Sequence, residues 1–113
     1  MVDDEPAIRL LCRVNLELSG YEVREAGSLD EARRKVAEGV DVVLLDMHLG
    51  NERGDIMLAE LLEQAIPVAV VTGSVDLEAI GAANATAVLG KPFTIEELES
   101  TVARLAALRT ASR

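Results

Sequence analysis

The sequence predicts an α/β domain built around one parallel sheet. Short β-branched runs alternate with longer helical stripes along the whole chain, without internal repeats or low-complexity linkers. Residues 42–45 form a continuous apolar run, which is typical of a strand buried on both faces of a parallel sheet. A chain of 113 residues, half of them apolar, can bury a core of its own. We therefore expect a single domain over residues 1–113.

Five strands are predicted, and the first of them is truncated. The other four are YEVREA at residues 21–26, DVVLLD at 41–46, PVAVVTG at 67–73 and ATAVLGK at 85–91. Only Met1 and Val2 precede Asp3, so the first strand is a stub. A terminal ammonium near the middle of a sheet is costly to bury, and we therefore expect further residues ahead of Met1 in the native protein.

Helices are marked by their opening residues. Pro6 suits the first turn of a helix that should run to about Ser19. Capping boxes in SLDE and TIEE begin two more helices, which carry the stripes Leu29, Ala32, Val36 and Ile95, Leu98, Val102, Leu105. Another helix should carry Met57, Leu58, Leu61 and Leu62, and a short, weak one lies in VDLEAIGAA.

The first helix carries two apolar stripes. One contains Ile8, Leu11, Cys12 and Asn15, and the other contains Ala7, Leu10, Leu11, Val14 and Leu18. We favour one broad buried face. The alternative is that the second stripe docks a partner helix, or pairs two copies of the chain as a weak homodimer instead of a monomer.

Charge and composition exclude several classes of partner. The formal net charge is −9, which disfavours direct contact with nucleic acid and with anionic membranes. The single cysteine, Cys12, excludes an internal disulfide and fits a reducing compartment. No long apolar segment or signal-peptide pattern is present in the sequence, so we expect a cytoplasmic location.

Polar side chains follow the predicted strands at their carboxyl ends, where open parallel sheets collect their chemistry. Asp3 and Asp4 follow the stub strand, Asp46 the strand at 41–46, Thr72 the next strand and Lys91 the last. Clustered carboxylates repel one another unless a hard cation such as Mg²⁺ joins them. A hydroxyl and an ammonium suit phosphate oxygens. The set predicts phosphoryl transfer.

The motifs VDDEP, VVLLD, VVTG and GKPF, in this order and with Gly54 eight residues after Asp46, resemble the receiver domain of two-component response regulators. The chain is most similar to the stand-alone, chemotaxis-regulator type. The resemblance implies the flavodoxin-like receiver fold, with strand order 2-1-3-4-5, helices on both faces and a cis Lys91–Pro92 peptide.

The resemblance also implies roles for individual residues. Asp46 would be the phosphoacceptor, Thr72 would hydrogen-bond a phosphoryl oxygen and Lys91 would pair with another. The Mg²⁺ cofactor would be held by Asp3, Asp4, Asp46 and the backbone carbonyl of His48, with Asp3 acting mainly through water. The donor would be a histidine kinase or a histidine phosphotransfer protein, and the output would be contact with a downstream protein that the sequence does not name.

Such a domain is not an enzyme in its own right, although it assists its own phosphorylation and dephosphorylation. Two alternatives stay open, namely a pseudo-receiver that binds partners independently of phosphorylation, and a receiver fragment of a longer regulator. A hydrolase like the haloacid dehalogenase-like phosphatases is remote, because His48 stands where those enzymes place a second Asp.

Several positions depart from the family pattern. Val88 replaces the usual aromatic switch residue, so that switch cannot operate in its familiar form. Gly50 stands where proline is common, and Asn84 where glycine is usual. His48 and Ser74 occupy positions that in the family tune the lifetime of the phosphorylated state, and the resemblance implies that His48 affects this lifetime here.

Overall fold

The computed structural model describes residues 1–49, 52–73 and 87–111. Its helices are α1 (Pro6–Leu18), α2 (Leu29–Ala37), α3 (Gly54–Glu63) and α4 (Ile95–Ala111). Its strands are β1 (Val43–Asp46), β2 (His48–Leu49), β3 (Glu52–Arg53), β4 (Val68–Thr72) and β5 (Ala87–Gly90). The predicted helix in VDLEAIGAA and the positions Gly50, Ser74 and Asn84 lie outside the described residues.

Both capping boxes form as predicted. The Glu31 N–H donates to Ser28 Oγ at 3.2 Å, while the Glu31 carboxylate accepts from the N–H of Gly27, one residue before the cap, at 2.9 Å. At the other helix, the Thr94 N–H donates to Glu97 Oε1 at 3.1 Å and the Glu97 N–H donates to Thr94 Oγ1 at 3.0 Å. Each box satisfies backbone N–H groups that the first turn leaves free.

The main sheet is parallel, in the order β1-β4-β5, and it confirms the predicted α/β class. Val43 pairs with Val68, and Ala69 pairs with Ala87. Because side chains alternate along a strand, Val43 and Leu45 face one way and Leu44 the other. The first face packs against α2 and α3, and the second against α1 and α4, which confirms helices on both faces.

The predicted five regular strands are not present among the described residues. Val2 makes single parallel bridges to Ala26 on one side and to Leu45 on the other, and residues 21–25 form no strand. The physical reason is that Val2 forms only one bridge on each side, so residues 21–25 have no neighbouring strand with which to form a regular ladder of hydrogen bonds. The five-strand order 2-1-3-4-5 therefore stays a prediction.

Met1, the segment around residues 21–24 and the chain leading into β1 line a cavity of about 310 Å³. Its lining includes Tyr21, Val23, Val40 and Val42. The Met1 ammonium donates to the Arg24 carbonyl at 2.8 Å. Burial lowers the pKa of this amino group to about 6. The cavity lies at the end of the sheet away from the polar strand ends.

The broad buried face predicted for α1 is wrong. Cys12 and Leu16 are buried against the sheet, whereas Leu10, Leu11, Val14 and Leu18 are between 43% and 82% exposed. A helix lying on one sheet face buries only the stripe directed at that face.

None of the helices in the described part of the chain has the length and apolar composition that crossing a bilayer requires.

Candidate functional site

Asp46 is the last residue of β1 and is buried. Its Oδ1 accepts the N–H of His48 at 3.0 Å, and its own backbone N–H donates to the Val2 carbonyl at 2.9 Å. Burial raises the pKa of the Asp46 carboxyl; the hydrogen bond from His48 opposes this, and the charge of Asp3 adds to it. A rigid strand end thus fixes a carboxylate that is costly to ionise.

Asp3 follows the Val2 bridge and has no solvent-exposed surface. Its backbone N–H donates to the Ala26 carbonyl at 3.0 Å, and its Oδ1 accepts the N–H of Glu5 at 2.9 Å. The hydrogen bond from Glu5 to the Asp3 side chain closes a tight turn directly before α1 begins at Pro6. Asp3 is therefore held by both main-chain and side-chain bonds beside Asp46.

Lys91 joins the two buried carboxylates. Its Nζ lies 3.0 Å from Asp3 Oδ2 and 3.5 Å from Asp46 Oδ2. Desolvation by itself lowers the pKa of Lys91, but the hydrogen bond to Asp3 and the charges of Asp46, Asp3 and Glu5 outweigh it and raise that pKa overall. The ammonium supplies a positive charge between the two buried carboxylates, which offsets part of the cost of burying them.

The backbone directs Lys91 to this position from β5. The Lys91 N–H donates to the Thr72 carbonyl at 2.8 Å, which extends the β4–β5 pairing by one step. The Lys91–Pro92 peptide is cis, as the resemblance implies. Thr72 itself is buried at the end of β4. The ends of β1, β4 and β5 thus bring Asp46, Thr72 and Lys91 to one edge of the sheet.

Asp3 also belongs to a second group of carboxylates, which it forms with the two residues that follow it. Ligand oxygens from Asp3, Asp4 and Glu5 all lie within 4.8 Å of one another, with Asp3 buried and the other two exposed. Oxygen donors so close together repel unless a cation joins them, and hard divalent cations prefer such donors. The donor set therefore fits Mg²⁺, with Asp4 and Glu5 able to reach it from the solvent side.

The chain also packs closely behind Asp46. A Cβ atom on Gly54 would lie 3.0 Å from Met47 Cα and 3.3 Å from the Asp46 carbonyl oxygen. The strands β2 and β3 pair antiparallel, and α3 begins directly after β3. Glycine at position 54 lets the start of α3 approach the end of β1 this closely, and a larger residue would push the two apart.

The family model for the response regulator receiver domain matches residues 1–103. The chain belongs to the response regulator receiver domain family. Receivers with solved structures share its fold. The CheY-like receiver domain protein from Methanospirillum hungatei has a TM-score of 0.88 at 27% identity, covering 99% of this chain and 94% of that one. The NtrX receiver from Brucella abortus has a TM-score of 0.84 at 28% identity, with 94% and 95% covered.

Curated relatives are longer proteins. The KDP operon transcriptional regulatory protein KdpE of Escherichia coli is 37% identical, with 88% of this chain and 47% of that protein covered. The response regulator protein PilR of Pseudomonas aeruginosa is 38% identical, with 96% and 26% covered. This receiver chain thus spans half or less of the length of these relatives.

His48 and Val88, two positions singled out in the sequence, both have exposed side chains. The His48 side chain is exposed, and its backbone N–H supports Asp46. Val88 lies in β5 and is 39% exposed, so the position that the resemblance assigns to an aromatic switch residue carries a small, partly exposed side chain. The structure brings Asp3, Asp46 and Lys91 into direct contact and places Asp4 beside Asp3.

Two residues of the site were not predicted from the sequence. Glu5 joins the carboxylate group, and its position directly after Asp4 was a usable signal. Arg9 donates from Nη1 to the Asp3 carbonyl at 2.7 Å. Nothing local in the sequence indicates this contact, because it depends on how α1 lies against the acidic loop, which consists of residues 3–5.

Proposed function

We propose that this receiver is a phosphoacceptor module of a two-component phosphorelay, in which Asp46 takes a phosphoryl group from histidine. One observation carries the proposal. The buried carboxylate of Asp46 lies 3.5 Å from Lys91, whose ammonium also binds the buried Asp3. A structural aspartate at a strand end would not need a shared cation and a second buried carboxylate beside it.

The chemical step requires little beyond positioning and charge compensation. An oxygen of the ionised Asp46 carboxylate attacks phosphorus, so an O–P bond forms while the N–P bond of the donor phosphohistidine breaks. The imidazole leaves with the electron pair of that bond and takes up a proton from solvent. The product is an acyl phosphate on Asp46. In this proposal Lys91 would pair with a phosphoryl oxygen, and Thr72 would hydrogen-bond another.

Asp3, Asp4 and Asp46 are proposed to hold Mg²⁺, together with the backbone carbonyl of His48. The mutual closeness of the carboxylates of Asp3, Asp4 and Glu5 supports the roles of Asp3 and Asp4. Asp46 and the His48 carbonyl are assigned from the resemblance to the family. The ion would supply charge neutralisation for the phosphoryl oxygens and the carboxylates. This chain's own contribution is to fix Asp46 at the end of β1 and to hold Asp3 beside it, from where Asp3 would act on the ion mainly through water.

The donor is proposed to be a histidine kinase or a histidine phosphotransfer protein, in the cytoplasm, with output through contact with a downstream protein. The domain would act as a phosphoacceptor that assists its own turnover, and not as an enzyme on a separate substrate. We propose a monomer, or a weak homodimer through the exposed stripe of α1. Relatives such as KdpE are transcriptional regulatory proteins, but the acidic charge of −9 disfavours direct DNA contact by this domain.

Acetyl phosphate with Mg²⁺ tests the proposal, with intact mass as the readout. We expect one added phosphoryl group in the parent protein, none in EDTA and none in Asp46→Asn. Asp41→Asn is the matched control, because Asp41 lies near the amino end of β1 and should not affect labelling. Labelling of Asp46→Asn, or labelling of the parent in EDTA, would contradict the assigned residue or the assigned metal.

A pseudo-receiver that binds partners without phosphorylation is the second candidate, favoured by the exposed Val88 at the switch position. The two candidates differ in one result. A pseudo-receiver would show no phosphoryl group under any of these conditions, and its amide resonances near Asp46 and Lys91 would not shift with beryllofluoride and Mg²⁺.

A further inference from the structure

Arg9 lies on α1 and connects three parts of the molecule. Its Nη1 donates to the Asp3 carbonyl at 2.7 Å, and its Nε lies 3.4 Å from Glu25 Oε1. Its side chain is only 20% exposed. One guanidinium therefore ties α1 both to the acidic loop and to the segment at 21–26, which carries the bridge residue Ala26.

The space around the guanidinium is closely fitted. A Cβ on Gly27 would lie 2.9 Å from Arg9 Nη1 and 3.5 Å from Cζ, so a side chain at position 27 would displace the guanidinium from this place. The two contacts use two different nitrogens of one planar group. A lysine at position 9 would keep the charge but could not reach both acceptors in the same way.

The contact completes the restraint of Asp3. The N–H of Asp3 is held by Ala26, Oδ1 by the N–H of Glu5 and Oδ2 by Lys91. The carbonyl that Arg9 holds belongs to the peptide joining Asp3 to Asp4. The orientation of this peptide sets the position of the Asp4 backbone, from which the Asp4 carboxylate projects.

We propose that Arg9 is a positioning residue for the Mg²⁺ site, which holds the Asp3–Asp4 peptide so that the carboxylates converge before the metal binds. The inference rests on the proposed function. Arg9 acts through the backbone of Asp3 and is not assigned any contact with the metal or the phosphoryl group. Groups that orient metal ligands in this way commonly change metal affinity by roughly 10- to 100-fold when they are replaced.

The test compares Arg9→Met and Arg9→Lys with Arg13→Met, by titrating Mg²⁺ into each protein with calorimetry. Arg13 is a matched control, because it also binds Glu25 from α1 but contacts Glu17 instead of the acidic loop. We expect Arg9→Met to bind Mg²⁺ roughly 10- to 100-fold more weakly than the parent. Arg9→Lys should lie closer to Arg9→Met than to the parent, and Arg13→Met should match the parent.

A second readout needs no metal. The N–H of Glu5 bonds to Asp3 Oδ1 only while the loop keeps its shape, so its hydrogen exchange in EDTA should accelerate in both Arg9 variants and not in Arg13→Met. All titrations are made well below each variant's unfolding temperature.

Two results would overturn the inference. If Arg9→Met binds Mg²⁺ as tightly as Arg13→Met, Arg9 does not position the site. If Arg9→Lys binds Mg²⁺ as tightly as the parent, the positive charge at position 9 is sufficient and the two-acceptor geometry of the guanidinium is not needed. Failure of the proposed function looks different, because the parent itself would then bind no Mg²⁺ and take no phosphoryl group at Asp46.

Discussion

Lys91→Met should destabilise the metal-free protein at pH 7 by about 3 kcal/mol. The ammonium lies 3.0 Å from Asp3 and 3.5 Å from Asp46, so the two attractions are each about 5 kcal/mol at an effective dielectric constant of ~20. Most of this gain is offset by the cost of desolvating the three charges. Removing one partner of a buried pair typically costs about 3–5 kcal/mol. We take the lower end because Lys91 keeps 24% exposure.

The dependence on pH has a definite sign. The pKa of Lys91 is raised above its ordinary value of 10.5, so its stabilisation is fully present below 10.5 and is lost as the pH rises through the higher folded value. The difference between parent and variant should therefore shrink in strong alkali. It should also shrink in acid, because Asp46, whose pKa is raised, takes up a proton there and no longer needs the cation.

The assay is urea unfolding followed by far-UV circular dichroism, in EDTA and again in Mg²⁺. Lys35→Met replaces the other lysine of the chain, on α2, and should change stability by less than about 0.5 kcal/mol. Ligand at 100 times its dissociation constant stabilises a fold by about 2.7 kcal/mol, and a cation between the carboxylates should stabilise Lys91→Met more than the parent. A variant as stable as the parent in EDTA would refute the reasoning.

Three further predictions concern single positions. Asp46→Asn should raise the unfolding temperature in EDTA at pH 7, because burial raises the pKa of Asp46 and makes its ionised form costly in the folded protein. This gain in unfolding temperature should disappear as the pH falls through the raised pKa toward 3.8. A gain that stays constant with pH would contradict the prediction. Gly54→Ala should cost about 1–3 kcal/mol in urea unfolding because of its contact with Met47, whereas Gly73→Ala, with its nearest neighbour at 4.0 Å, serves as the mild control. Cys12 is buried and its pKa is raised to about 11, so a thiol reagent at pH 8 should label it only as fast as the protein opens, and labelling as fast as in urea would count against this packing.

Local signals in the sequence predicted much of the fold. The capping boxes at Ser28 and Thr94 depend on residues three apart, and both form. The apolar run ending at Asp46 gave the buried strand β1, since alternating contact with two helical layers requires apolar side chains on both faces. Strand ends in a parallel sheet meet at one edge, so Asp46, Thr72 and Lys91 could be grouped before any coordinates were known.

Features that depend on partners elsewhere in the chain were not predictable in this way. The strand expected at residues 21–26 needs a neighbour along its full length, and Val2 supplies one bridge. The stripe of α1 that faces the sheet is decided by how the helix lies on it, and both stripes have a helical period. The contact of Arg9 with the Asp3 carbonyl joins a helix to a loop across a turn, which no local pattern records.

The most direct test of the central claim is to locate the phosphoryl group chemically. The parent protein is treated with acetyl phosphate and Mg²⁺ and then reduced with borohydride, which converts an acyl phosphate of aspartate to homoserine, and peptides are sequenced by mass spectrometry. The account predicts homoserine at position 46 and at no other aspartate, including Asp3 and Asp4. Homoserine at another position, or none in a protein that binds Mg²⁺, would contradict it.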